Sequence, residues 1–130
     1  MLAAVVTVPC VAYAFSSLDE LGDGVFRKIR QGLGITAFGA NAVVLAPGVT
    51  ARPHYHDEQD ELYFVHQGRA EFRLPGETRE LGAGGLCHVE STTPRVITSV
   101  GDEDLVLIVV GAKDGYVGRD GHDTDAGQLG

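Results

Sequence analysis

Two histidines one residue apart, followed after four polar residues by a glutamate, constrain this chain more than any other feature. The stretch runs from Gly48 to Gly68, GVTARPHYHDEQDELYFVHQG, with His54, His56 and Glu61 at its centre. On a β-strand, residues two apart share a face, so both imidazoles project the same way. The polar run Asp57 to Asp60 is short enough to close a hairpin, which predicts Glu61 directly across from His56. Facing Cβ atoms in such a pair lie about 5 Å apart. Two imidazoles and a carboxylate meeting at one point form a metal-ligand set. The plain alternative is three ordinary exposed hairpin residues.

The remainder of the chain is punctuated at short, regular intervals. Strands are expected at 26–30, 35–38, 42–46, 52–56, 61–66, 70–74, 78–81, 86–90, 96–100 and 105–110, separated by glycine or other turn residues. No sustained helical period and no internal repeat interrupts the series. The pattern predicts a single all-β domain, a sandwich or barrel. Residues 16–21, SSLDEL, read as one helical turn with serine as N-cap. The apolar segment 1–15 reads as a strand arm centred on residues 3–8, and an unpaired apolar edge leads to a homodimer. That segment lacks a basic n-region, contains Pro9 and is too short to span a bilayer. A cytoplasmic location is therefore expected, with a secretory leader as the lesser alternative. The tail, 112–130, is rich in glycine and aspartate and reads as loosely held.

Composition narrows the partners. A net charge of −8 argues against a nucleic-acid backbone or an anionic membrane. A small-molecule ligand remains the natural partner. Two cysteines, Cys10 and Cys87, are too few for a disulfide scaffold and read as free, buried thiols.

At the central stretch the chain resembles the cupin superfamily, whose first motif reads G-x5-H-x-H-x4-E-x6-G. Gly48, His54, His56, Glu61 and Gly68 fill every named place. The stretch FRKIRQGLGITAFGAN also resembles small single-domain bacterial cupins. The resemblance covers about residues 18–111. It implies a double-stranded β-helix, or jelly-roll barrel, whose two motifs face each other across a cavity. It also implies a divalent metal (Fe, Mn, Ni or Zn) on His54, His56 and Glu61.

The second cupin motif, G-x5-P-x-G-x2-H-x3-N, is less well kept. Anchored on Gly84, it places Arg95 where the fourth metal ligand normally stands. Guanidinium has no acceptor lone pair and stays protonated, so Arg95 cannot ligate. Three outcomes follow: a three-ligand site with open positions, a metal-free cavity, or an anionic substrate bridging the metal and Arg95. Pairing of Arg95 with Glu90 would neutralise the conflict. His88 is a possible replacement ligand if its strand faces inward. Parity places Tyr63 and Val65 on the Glu61 face, with Tyr63 a candidate substrate contact, and turns Tyr55 and His66 away. His122 and residues 120–125 read as surface.

Two functions fit this reading. One is a metal-dependent enzyme of dioxygenase, isomerase or decarboxylase type, with Glu61 or metal-bound water as base and Arg95 holding an anionic group. The other is a non-catalytic module that binds or senses a small molecule. The motif fixes a site and not a reaction.

Overall fold

The computed structural model describes residues 12–125. Strands dominate because apolar residues alternate along most segments. The elements run β1 (Phe26–Arg27), α1 (Ile29–Leu33), β2 (Gly39–Leu45), β3 (His54–His56), β4 (Asp60–Gln67) and β5 (Ala70–Leu74). They continue as β6 (Glu77–Leu81), β7 (Leu86–Val89), β8 (Val96–Ser99), β9 (Leu105–Ala112) and β10 (Gly121–Asp123). One antiparallel sheet has the order β1-β2-β9-β4-β7. The facing layer contains β6-β5-β8, and bridges Thr50↔Thr98 and His54↔Arg95 carry it on to β3, which pairs with β10. This is the double-stranded β-helix that the resemblance implied.

The inner faces of both layers form the core. From β9 come Leu105, Leu107 and Val109, from β4 Tyr63 and Val65, and from the facing layer Phe72 and Ile97. The rings of Phe72 and Tyr63 meet edge-on with centroids 5.5 Å apart, a favoured aromatic geometry. On β4, Leu62 and His66 alternate outward and are exposed while Glu61, Tyr63 and Val65 are buried.

Three sequence expectations need correction. The strand expected at 26–30 is only two residues long and gives way to α1, which ends at Gly34, where Ile35 N–H bonds back to the Arg30 carbonyl. The strand expected at 35–38 does not form. The tail is not loose through its described part, because β10 pairs with β3 in the register Gly121↔His56, His122↔Tyr55 and Asp123↔His54. The expected serine cap is present: Glu20 N–H reaches Ser17 Oγ at 3.3 Å, and Ser17 Oγ donates back to Glu20 Oε1 at 3.2 Å. The N-terminal strand arm, and Cys10 with it, lies outside the described residues; Cys87 is a half-buried free thiol.

Gly68 is fixed by a close approach. Its φ is +85°, and a Cβ there would lie 2.6 Å from the Asp104 carbonyl oxygen and 2.9 Å from Leu105 Cα. Neither backbone atom can yield without moving β9. Gly76 has a similar φ of +79° but nothing within 4 Å. Both Gly→Ala changes incur left-handed strain, and only Gly68→Ala adds a collision. Urea denaturation should show Gly68→Ala less stable than Gly76→Ala by about 2 kcal/mol or more.

Candidate metal centre

The centre is assembled between the two layers. Glu61 projects inward from β4, while His54 and His56 project from β3 in the facing layer. The expected β3–β4 hairpin pairing is absent: β3 pairs with β10, β4 pairs with β7 and β9, and Glu61 lies opposite Val89 and Gly111. The cluster forms across the sandwich instead, because inward parity on both strands aims the side chains at one another. One ligand atom from each of His54, His56 and Glu61 falls within 4.8 Å of the others. The imidazole rings meet edge-on, with centroids 5.0 Å apart.

Hydrogen bonding turns both rings the same way. His54 Nδ1 lies 3.1 Å from the Arg52 carbonyl oxygen, and His56 Nδ1 lies 2.8 Å from Asp120 Oδ1. Both partners accept, which assigns the proton to Nδ1 and leaves Nε2 facing Glu61. Nε2 of His56 and His54 lie 3.2 and 3.8 Å from Glu61 Oε1. His56 Nε2 is buried and has no hydrogen-bond partner. A buried, unpartnered nitrogen beside a carboxylate and a second imidazole suits a divalent ion. The donor set therefore fits a metal.

Arg95 meets the opposite end of this logic. Its side chain is fully buried, and Nη1 donates to Glu61 Oε1 at 2.8 Å. Nε donates to the Thr93 carbonyl, and Nη2 to the carbonyls of Glu90 and Ser91. The guanidinium thus has no free edge for a substrate, which corrects its expected role. The Glu90 partnership is with the backbone oxygen and not the carboxylate; the ion pair goes to Glu61. Tyr63 is also committed, its hydroxyl donating to Glu61 Oε1 at 2.5 Å. Its ring still lines the adjoining cavity. His88 is exposed on the outer face of β7, opposite Leu62, and takes no part.

These contacts set the charges. Burial pushes the Glu61 carboxyl up, but the adjacent His54 and His56 imidazoles and the Tyr63 hydroxyl hold it well below the carboxylate range. Burial pushes His56 down, yet the neighbouring Glu61 and Asp120 outweigh it and leave the imidazole raised. The Tyr63 phenol is raised by burial and by the Glu61 charge.

Asp120 was not legible as a site residue, having been read as surface. Its side chain is nearly buried, and Oδ1 accepts from Gln59 Nε2 at 2.6 Å as well as from His56. Oδ2 accepts the backbone N–H groups of Glu58 and Gln59 at 2.8 and 3.0 Å. Burial raises this carboxyl, and those bonds more than compensate, holding it well below its usual value. One carboxylate therefore orders the β3–β4 loop and orients a ligand imidazole. Gly111 makes room for the Gln59 side chain, which a Cβ there would meet. His122 adds a contact to Asp57 at 2.8 Å and stacks on Tyr55, which faces away as expected.

A cavity of about 640 Å³ adjoins the cluster, with His54, His56, Glu61, Tyr63 and Leu107 in its wall. The family described as Cupin domain matches residues 41–111, and the chain belongs to it. No curated protein sequence matches significantly. Solved structures with the same fold include a cupin protein from Bacteroides fragilis, at 20% identity and TM-score 0.70, covering 85% of this chain and 92% of that one. A sugar phosphate isomerase of the cupin superfamily from Silicibacter pomeroyi aligns at 22% identity and TM-score 0.65, over 77% of this chain and 64% of that one. A DMSP lyase from Ruegeria pomeroyi aligns at 27% identity and TM-score 0.59, over 68% of this chain and 43% of that one.

Two measurements probe this geometry. Asp120→Asn keeps the shape but weakens the hold on His56, and metal affinity by chelator competition should fall about 10- to 100-fold. Arg95→Met removes the cation and leaves Glu61 uncompensated. Metal-free Arg95→Met should lose about 3–5 kcal/mol in chemical denaturation, while its zinc affinity rises above wild type.

Proposed function

We propose that this cupin holds a divalent metal ion on His54, His56 and Glu61 and acts on a small anionic organic molecule in the adjoining cavity. The observation that carries the reading is the buried, unpartnered His56 Nε2 pointing at Glu61 and His54. When bound, the ion would supply Lewis acidity and open coordination positions, as in two-histidine, one-carboxylate sites. Fe, Mn, Ni and Zn all suit these donors.

The side chains divide the remaining work. Glu61 Oε1 is already taken by Arg95 and Tyr63, so this carboxylate supplies charge and ligation. Arg95 and Tyr63 hold its Oε1 in place. His54 is only half-buried and stands at the cavity wall, where it meets both ligand and solvent. The apolar wall of Val43, Leu107 and Tyr63 excludes water from the organic part of a substrate. Similarity to a sugar phosphate isomerase and a DMSP lyase supports an enzyme of isomerase or lyase type, and a dioxygenase-type reaction suits the same ligand set. A homodimer and a cytoplasmic location complete the reading. The former draws on exposed Leu62 and Leu86 on the outer face of the larger sheet. Among the described residues no helix is long and apolar enough to cross a membrane.

One observation favours a second reading. A permanent cation, Arg95, stands beside the cluster and already neutralises Glu61. A small-molecule binding module without turnover follows if that ion pair outcompetes the metal.

Elemental analysis of protein purified without a histidine tag separates the two. The enzyme reading expects close to one transition-metal ion per chain, lost in His54→Ala and His56→Ala. Protein that stays metal-free after refolding with iron, manganese, nickel and zinc supports the module.

A further inference from the structure

A second hollow, of about 240 Å³, also has Glu61 in its wall. Its wall includes Lys28, Arg30, Gln59, Tyr116 and Arg119. Asn41, Glu61, Val109 and Arg119 line both hollows, so the two adjoin at Glu61 with Arg119 in the wall of each.

The charge there opposes that of the chain as a whole. Ten Lys and Arg residues serve a protein of net charge −8, and three of the ten line this one small hollow. The single carboxylate in its wall is Glu61, already matched by Arg95. Among the described residues, the side chains of Lys28 and Arg119 meet neither a carboxylate nor a hydrogen-bond acceptor. Arg30 is held in place instead: its guanidinium lies 4.0 Å from the centroid of the Tyr116 ring, and one nitrogen donates to the Ile35 carbonyl at 3.4 Å. Stacking fixes the plane of the guanidinium and leaves most of its five donors available. A fixed guanidinium with two unpaired cations is a receptor for oxyanions.

We infer that the hollow formed by Lys28, Arg30 and Arg119 binds the carboxylate or phosphate group of a small organic ligand, whose remainder extends past Glu61 into the main cavity. The inference deepens the proposed function and rests on it for the reacting end. It also replaces Arg95, which is fully engaged, as the source of anion recognition. The C-terminal segment then serves twice, since Arg119 faces the anion and Asp120 orients His56.

The test is a titration of 15N-labelled, metal-free protein with inorganic phosphate and, separately, with malonate. Millimolar additions of at least one should shift the backbone signals around Lys28, Gln31, Gly118 and Arg119. Arg119→Ser and Lys28→Ser, both at exposed positions, should each weaken that binding about tenfold or more. Both should leave the circular dichroism spectrum and metal uptake intact. A response to phosphate alone assigns a phosphate ester, and to malonate alone a carboxylate. His54→Ala/His56→Ala should lose the metal yet keep the anion, so failure of the metal site and failure of this site are told apart. Absence of any response to either anion overturns the inference. So does a response that Arg119→Ser and Lys28→Ser leave unchanged.

Discussion

One oxygen atom carries the centre of this protein. Glu61 Oε1 accepts from Arg95 and Tyr63 and lies within ion-pair reach of His56. Glu61 and Tyr63 come from one layer, Arg95 and the histidines from the other, so this oxygen ties the two sheets together at the cavity. Removing a carboxylate from water is unfavourable unless its lone pairs are met. Here donors from both sides meet them, and a buried negative charge becomes tolerable.

That arrangement sets up a contest. A cupin with a histidine at the position of Arg95 would have a fourth neutral ligand there. This chain has instead a fixed positive charge, so Glu61 is electrically satisfied before any metal arrives. Coulomb repulsion between Arg95 and an incoming cation weakens the site, and the unpartnered Nε2 of His56 strengthens it. The balance depends on how firmly that imidazole is oriented. Asp120 therefore matters beyond its own contacts, because it fixes the ring whose free nitrogen favours the ion.

Much of this could be read from the residues. The alternation in β4 placed Glu61, Tyr63 and Val65 on one face and His66 on the other, and the spacing of His54 and His56 placed them together. The hairpin geometry failed because loop length says only that two strands can pair. Here β3 finds its hydrogen bonds in β10 and in the Arg95 backbone. Strand parity survived the change of partner, which is why the cluster forms although the pairing is different. Asp120 and Arg119 were invisible for another reason. They sit in a stretch whose glycines and aspartates suggest looseness, and only the tertiary path of residues 113–123 brings them to the site. Gly34 after Leu33 was an available stop signal for α1, outweighed in the sequence by the short apolar runs on either side.

The proposed chemistry needs an ion seated among His54, His56 and Glu61. Crystals soaked in manganese or zinc and measured at the metal's absorption edge give the direct answer. A single anomalous peak within bonding distance of both Nε2 atoms and a Glu61 oxygen is predicted, with Asp120 still bonded to His56 Nδ1. No peak there, with Arg95 and Glu61 still paired around an empty cluster, would contradict it.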